Sequence, residues 1–434
     1  MVFQQYYLGC LSQASYLIGD RGSGRAVVVD PRRDVGEYLD DAAAAGLTIT
    51  HVVETHFHAD FLSGHLELAE QTGATIVFGR AAEGRVGFPA HFAADGERIE
   101  LGDVTLEVLA TPGHTPESIS IVVRETGDGE PWGVLSGDTL FIGDVGRPDL
   151  LSADGVGADT LARQLFHSLR DQLLTLPDAT RLFPAHGAGS ACGKNLSTET
   201  ESTIGEQRHT NYALAPMSED EFVEAVTQGQ SVAPLYFGFA ANRNREDHET
   251  FDELEASRPL SWDEVAVARR DGAVLVDVRP AAEFARGHLT GAINVGLDGR
   301  FAEYAGEVVA AGTPIVLVAD DGTAHEAKVR LARIGFDDVV GHIADPVATM
   351  AAHPDAVSPA SRLTATELAA RLDEVAGLQV VDVRGPGEVA AGSIAGAHLI
   401  PLPALVTRLD ELDAAAPTVV YCAGGYRSSV AASA

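Results

Sequence analysis

Four histidines and two aspartates sit in short polar clusters, each directly after an apolar run: His56, His58 and Asp60 in THFHADF (55–61), His114 in TPGHT, Asp138 in SGDTLF and His186 in FPAHG. Imidazole nitrogens and carboxylate oxygens are ligands for first-row divalent metals, and loops leaving neighbouring strands can bring them to one ion. A single histidine after a strand is usually a loop or core residue; four such clusters, each with Gly or Asp for a tight turn, point to a metal. A second chemistry stands near the other end, in Cys422-Ala423-Gly424-Gly425-Tyr426-Arg427-Ser428, between the strand-like TVVY and the helix-like SVAAS. A strand-to-helix loop turns several backbone N–H groups inward, and the helix N-terminus adds positive potential. Such a cradle lowers a thiol pKa and stabilises a thiolate or persulfide on Cys422. Gly424 and Gly425 permit the tight curvature, and Arg427 would bind an oxyanion.

The elements that must position these groups are legible around them. From 1 to about 210, runs such as AVVVD (26–30), HVVET (51–55), TIVFG (75–79), SISIVVR (118–124) and WGVLSGD (132–138) lead into polar clusters, as in sheets whose C-terminal loops carry a site. A helix is expected over 218–229, then a Pro-, Asn- and Arg-containing linker over 233–258. Beyond it the chain repeats itself. Residues 274–292, VLVDVRPAAEFARGHLTGA, match 379–397, QVVDVRGPGEVAAGSIAGA, at an offset of 105; residues 313–327 match 417–430 at an offset of 103. Each unit alternates strand and helix, which predicts two small α/β domains with parallel sheets. At the first unit's aligned loop Ala319 replaces the cysteine and Ala324 the arginine, so that unit cannot carry sulfur.

Composition bounds the rest. A chain of 434 residues is too long for one hydrophobic core, so two or three domains are expected. A formal net charge of −33 argues against nucleic acid or an anionic membrane as a partner. The N-terminus MVFQQYYLGCL lacks the basic and apolar regions of a signal peptide, and no apolar run is long enough to span a bilayer. Cys10, Cys192 and Cys422 lie far apart, which disfavours a disulfide framework and makes a reducing, cytoplasmic location the expectation. Cys10 is expected in the core. Cys192, in GSACGKN just after the His186 loop, is a candidate to accept or relay sulfur.

The histidine clusters resemble the metallo-β-lactamase superfamily, which implies an αββα sandwich. Members with two metals use HxHxDH, and here Phe61 stands at the last histidine. That leaves His56, His114 and Asp138, two imidazoles and a carboxylate with open positions opposite, the arrangement of non-heme Fe(II) oxygenases. The stretches TPGHTPES (111–118), GDTLFIGDVGRPDL (137–150), FPAHGAG (183–189) and STIGEQRHTNYAL (202–214) are similar to those of persulfide dioxygenases. The resemblance implies one Fe(II) per chain on His56, His114 and Asp138, with His58, Asp60 and His186 orienting the ligands or hydrogen-bonding bound water. Arg147 would steer an anionic substrate, with Asp149 fixing its side chain.

The Cys422 loop and the DVR…E…G…GA pattern upstream resemble the rhodanese family, which implies sulfite or thiosulfate at Arg427. Domain order is that of persulfide dioxygenase–rhodanese fusions. The expected architecture is α/β: a dioxygenase domain over 1–245, a linker over 246–258, an inactive rhodanese-like domain over 259–357 and an active one over 358–434, C-terminally incomplete because only 12 residues follow Cys422. The expected activity is oxidation of a thiol persulfide by O2 to sulfite, coupled to sulfur transfer that interconverts sulfite plus persulfide and thiosulfate in sulfide detoxification. A thioester hydrolase of glyoxalase II type fused to sulfur carriers is the alternative, and a homo-oligomer is expected.

Overall fold

The structure, a computed structural model, describes residues 1–150 and 156–434. Chain contacts divide it into two units, Met1–Gln230 with Gly238–Glu253, and Ser231–Phe237 with Leu254–Ala434.

The first unit holds two six-stranded sheets. One runs β1 (Val2–Leu8), β2 (Gln13–Asp20), β3 (Arg25–Val29), β4 (Thr48–Val53), β5 (Thr75–Gly79), β6 (His91–Ala93), antiparallel to β3 and parallel after it. The other runs β7 (Arg98–Glu100), β8 (Thr105–Ala110), β9 (Ile119–Arg124), β10 (Gly133–Gly137), β11 (Arg181–Pro184), β12 (Ser202–Thr203), with β10 and β11 the parallel pair. Their near-continuous apolar runs follow from burial on both faces. Tyr16, Ile18, Val27, Val29, Val53, Ile121, Leu135 and Phe183 face the space between the sheets. Their neighbours in alternation turn outward: Leu17, Val28 and Val52 pack with Tyr38, Ala42 and Leu68 from the helices Gly36–Ala44 and His65–Thr72. Val122, Val134 and Leu182 pack with Leu165, Ile204 and Phe222 from the helices Ala158–His167, Ile204–Thr210 and Glu219–Thr227. Helices therefore cover both outer faces, and the unit is an αββα sandwich.

The second unit contains the repeats. The first has a four-stranded parallel sheet in the order β15 (Ala292–Asn294), β13 (Val274–Asp277), β16 (Ile315–Val318), β17 (Val339–Ile343), and β14 (His288–Leu289) pairs with β18 (Val357–Ser358). The second has a three-stranded parallel sheet, β20 (His398–Leu399), β19 (Gln379–Asp382), β21 (Thr418–Tyr421). The shared D-x-R…G pattern is structural. Arg279 grips the buried Asp277 and reaches the Gly287 carbonyl at 3.1 Å; Arg384 does the same with Asp382 and the Gly392 carbonyl at 2.7 Å. Each pair closes the loop after the repeat's first strand of the matched segment.

Two expectations meet a different structure. Within the stretch 233–258 read as a linker, Phe237–Arg243 is helical and residues 238–253 belong to the first unit. Glu253 accepts from the Gly36 amide at 2.7 Å and Glu67 from the Phe251 amide at 3.1 Å, so long-range hydrogen bonds order a segment whose composition signals a loop. Cys10, expected in the core, lies half-buried in the turn between β1 and β2. Among the described residues no helix is long and apolar enough to cross a membrane.

Candidate metal centre and thiol loop

The ends of β4, β8, β10 and β11 deliver His56, His114, Asp138 and His186 to one place. Gly137 permits a close approach of two of these loops: its φ is +53°, and a Cβ there would lie 2.8 Å from the Thr55 Cβ. His56, His114 and Asp138 are all buried, and one donor atom from each lies within 4.8 Å of the others. His56 Nε2 is 3.8 Å and His114 Nε2 3.5 Å from Asp138 Oδ2. Two ligand bonds of about 2.1 Å at tetrahedral or octahedral angles hold donors about 3.0–3.5 Å apart, so the set needs only small closure.

The tautomers suit a metal. His114 donates Nδ1–H to the Arg147 carbonyl at 2.8 Å. His56 Nδ1 lies 2.9 Å from Thr55 Oγ1, whose own proton goes to Asp30 Oδ2 at 2.9 Å, so the hydroxyl accepts from the imidazole. Both Nε2 lone pairs are left for the centre. His56 Nε2 and Asp138 Oδ2 are buried without a hydrogen-bond partner, a costly state that an ion between them relieves. Burial, then the neighbouring His58, press the His56 pKa well below its usual value, which keeps the ring neutral. Burial alone would raise the Asp138 carboxyl, but His186, His56 and His114 hold it well below the usual carboxylate range. A buried carboxylate facing two imidazole Nε2 atoms fits a divalent cation, and the centre is a metal-binding cluster.

The remaining motif residues surround it. Asp138 Oδ1 accepts His186 Nδ1–H at 2.7 Å, and Asp60 Oδ2 lies 2.7 Å from His186 Nε2. Against the effect of burial, these two carboxylates raise the His186 pKa well above its usual value. His58 turns toward Asp30 at 3.0 Å and Glu54 at 3.4 Å; burial opposes its charge, yet the two acids push its pKa up to about 10. Phe61, where a second metal would require a ligand, packs its ring 4.3 Å from that of His58. Arg147 is 3% exposed, with Nε and Nη2 each 2.7 Å from Asp149 and its amide donating to the Cys192 carbonyl. In this position it braces the His114 and Cys192 loops, and the guanidinium expected to steer substrate is engaged by Asp149. Cys192 is buried, and its Sγ forms a group with Asp60 and His186 whose donor atoms lie within 4.8 Å of one another. Burial and the Asp60 and Asp138 carboxylates push its thiol well up, so it stays protonated.

Asp30 escaped the sequence reading. It closes the run AVVVD, adopts φ +51°, and accepts from the Thr55 amide, the Thr55 hydroxyl and His58 at once. Its signal was its place, a polar residue ending a buried strand, the same cue that marked Asp138.

In the second unit Cys422 follows β21 and precedes the helix Tyr426–Ser433. The Gly425 amide is 3.1 Å from Sγ, the Ser428 amide 3.4 Å and the Ser428 hydroxyl 3.6 Å. Burial works against ionisation, but these donors outweigh it and lower the thiol pKa. Gly425 has φ +90°, which a side chain would resist, and a cavity of about 510 Å³ opens beside Cys422, Gly424 and Ser428. Arg427 makes a two-pronged pair with Glu388 at 2.6 and 2.8 Å, so one edge of the guanidinium is spent on the scaffold. In the first repeat the cradle itself is gone: the helix Asp321–Ala332 begins earlier in the aligned sequence and takes in Gly322, which has no positive φ.

These environments predict an order of thiol reactivity. Brief iodoacetamide treatment of the metal-free protein near pH 7 should alkylate Cys422 at least about tenfold faster than buried Cys192, read by peptide mass spectrometry; equal rates would contradict the cradle.

Comparison with known proteins agrees with the fold of both parts of the chain. The family model described as the metallo-beta-lactamase superfamily matches residues 8–186, and that of the rhodanese-like domain matches 261–344 and 364–434. The mitochondrial persulfide dioxygenase ETHE1 of Homo sapiens is 30% identical over 234 residues, 53% of this chain and 82% of that protein. A hydroxyacylglutathione hydrolase of Methylococcus capsulatus is 35% identical over 173 residues, 39% of this chain and 60% of that protein. A crystal structure of a metallo-beta-lactamase from Staphylococcus aureus superposes with a TM-score of 0.71 at 34% identity, covering 79% of this chain and 98% of that one.

Proposed function

We propose that this chain, which belongs to the metallo-β-lactamase superfamily and carries two rhodanese-like domains after that fold, is an iron-dependent persulfide dioxygenase coupled to a sulfurtransferase. The observation that carries the reading is the His56–His114–Asp138 set, with Phe61 at the motif position where a second metal would need a histidine, joined in one chain to a thiol with a lowered pKa. Two imidazoles and one carboxylate suit Fe(II), which when bound supplies the O2 chemistry that oxidises the terminal sulfur. His56, His114 and Asp138 would hold the ion, and Thr55, Asp30, the Arg147 carbonyl and His186 keep those ligands in their tautomers and orientation. Overall, a persulfide anion, O2 and water give the free thiol, sulfite and a proton. The persulfide arrives as an anion, so no strong general base is required; Cys192, read from sequence as a sulfur relay, is held protonated by burial and the Asp60 and Asp138 carboxylates and takes no part in the proposed transfer.

At the second site the Cys422 thiolate carries sulfane sulfur as a persulfide. Attack by sulfite on the outer sulfur forms thiosulfate and returns the thiolate, which the Gly425 and Ser428 donors stabilise as leaving group. The same residues serve the reverse direction. Covalent linkage raises the local concentration of the shared sulfite, a physical reason for the fusion. The process served would be sulfide detoxification in the cytoplasm, with a low-molecular-weight thiol as carrier.

The test is metal content and oxygen uptake. Protein loaded anaerobically should hold one iron per chain and, given a persulfide, consume O2 and release sulfite or thiosulfate. Loaded iron without oxygen uptake would overturn the reading. The likeness to a hydroxyacylglutathione hydrolase keeps one rival, which predicts two zinc ions and thioester hydrolysis instead.

A further inference from the structure

We infer that Asn244 is a positioning residue for the metal centre, holding the loop that carries His56 from outside. Its amide is 1% exposed and makes three hydrogen bonds of 2.8 Å: Nδ2 donates to the carbonyls of His58 and Phe61, and Oδ1 accepts from the Ser63 amide. Both amide protons and one oxygen lone pair are thus spent on one stretch, residues 58–63. From the other side the same loop hangs on Asp30, through the Thr55 amide and hydroxyl and His58, and on Glu117, which accepts the Phe57 amide at 3.1 Å. Asn244 is the counter-support. Between the two, residues 56–61 are buried and lie in neither helix nor strand, so their carbonyls need partners outside regular structure.

The residues beside Asn244 reinforce the placement. The Arg245 carbonyl accepts the Gly87 amide at 2.7 Å, and its guanidinium lies 4.8 Å over the Phe57 ring. By fixing the Phe61 carbonyl, Asn244 also keeps that ring against His58, filling the space in which a second-metal ligand would stand. The segment that looked like a linker is therefore a strap across the back of the metal loop. A shift of a few tenths of an ångström in that loop moves His56 Nε2 relative to Asp138 Oδ2, and outer supports of this kind typically set metal affinity by about 10- to 100-fold.

The inference rests on the metal-centre reading, and the experiment separates the two. Full-length wild type, Asn244→Asp, Asn244→Ala and Asn242→Ala are compared; Asn242 is exposed two residues away. Asn244→Asp keeps the shape and the bond from Ser63 but sets carboxylate oxygens against the His58 and Phe61 carbonyls. Expected in Asn244→Asp and Asn244→Ala are native circular dichroism, Fe(II) affinity lower by about 10- to 100-fold in chelator competition, a shifted Co(II) visible spectrum, and a kcat that falls with KM unchanged. Asn242→Ala should match wild type. Wild-type iron affinity and Co(II) spectrum in Asn244→Asp would overturn the proposal, as would failure of both Asn244 variants to fold, which would make the residue a support of the fold alone. If wild type itself binds no iron through His56, His114 and Asp138, the metal-centre reading has failed instead.

Discussion

Replacing Cys422 with Ser is expected to cut sulfur transfer to sulfite by on the order of a thousandfold or more while leaving oxygen uptake at the wild-type rate. A serine hydroxyl fits the cradle and can accept the Gly425 and Ser428 donors, so the loop and the helix behind it should survive. It cannot form a persulfide, and its pKa lies far above that of a thiol. The product of persulfide oxidation should then change from thiosulfate to sulfite, which ion chromatography reads directly. Unchanged thiosulfate formation would remove Cys422 from the pathway and leave the second unit a docking module. The pH dependence has a definite sign. The cradle donors favour the thiolate, so wild-type transfer should rise with pH through a pKa below the usual thiol value of about 8.5. Ser428→Ala removes the hydroxyl donor and should move that limb to higher pH. For the same reason the thiolate stabilises the folded state above the ordinary thiol pKa, and that contribution is lost as pH falls through the lowered one.

What the sequence disclosed and what it hid have a common physical explanation. Strands buried on both faces announce themselves by continuous apolar runs, and a strand's end is where a polar residue can be both fixed and accessible. His56, His114, Asp138 and His186 all stand there, so polar clusters after continuous apolar runs point to a metal centre, while the choice of ligands among them comes from the family resemblance. The repeats were legible because Asp277–Arg279 and Asp382–Arg384 are local pairs, two residues apart, that recur with their strand. Asn244 was not legible, because its partners are backbone atoms of residues more than 180 positions away, and a carbonyl leaves no mark on sequence. The strap 238–253 was misread for a related reason. Polar residues signal loops, yet here Asn244 and Glu253 order the segment by hydrogen bonding to distant main chain. The burial of Arg147 was equally hidden: sequence supplies a guanidinium beside an aspartate, and only the fold shows that the guanidinium is enclosed while Asp149 stays partly exposed.

The second large effect is expected at Asp138. Asp138→Ala should reduce bound iron below about a tenth of wild type and oxygen uptake by on the order of a thousandfold, leaving sulfur transfer at Cys422 intact. One carboxylate serves both sides of the centre: Oδ2 faces the His56 and His114 nitrogens, and Oδ1 holds His186. Its removal takes away the anionic ligand and leaves His186 with Asp60 as its remaining carboxylate. A thermal reading separates loss of metal from loss of fold. A metal present at about a hundred times its Kd stabilises the wild type by about 2.7 kcal/mol, or roughly 5–10 °C for a unit of this size. That metal-dependent increment should vanish in Asp138→Ala, whereas the metal-free transitions of the two proteins should lie closer together. An increment that persists in the variant would place the ion elsewhere. The acid limb adds an independent sign. The surrounding imidazoles depress the Asp138 pKa in the folded state, so its ionised form stabilises the metal-free wild type above the ordinary carboxylate value of about 3.9. That stabilisation is lost as pH falls below this value toward the depressed one, so metal-free wild type should lose stability more steeply than Asp138→Ala on acidification.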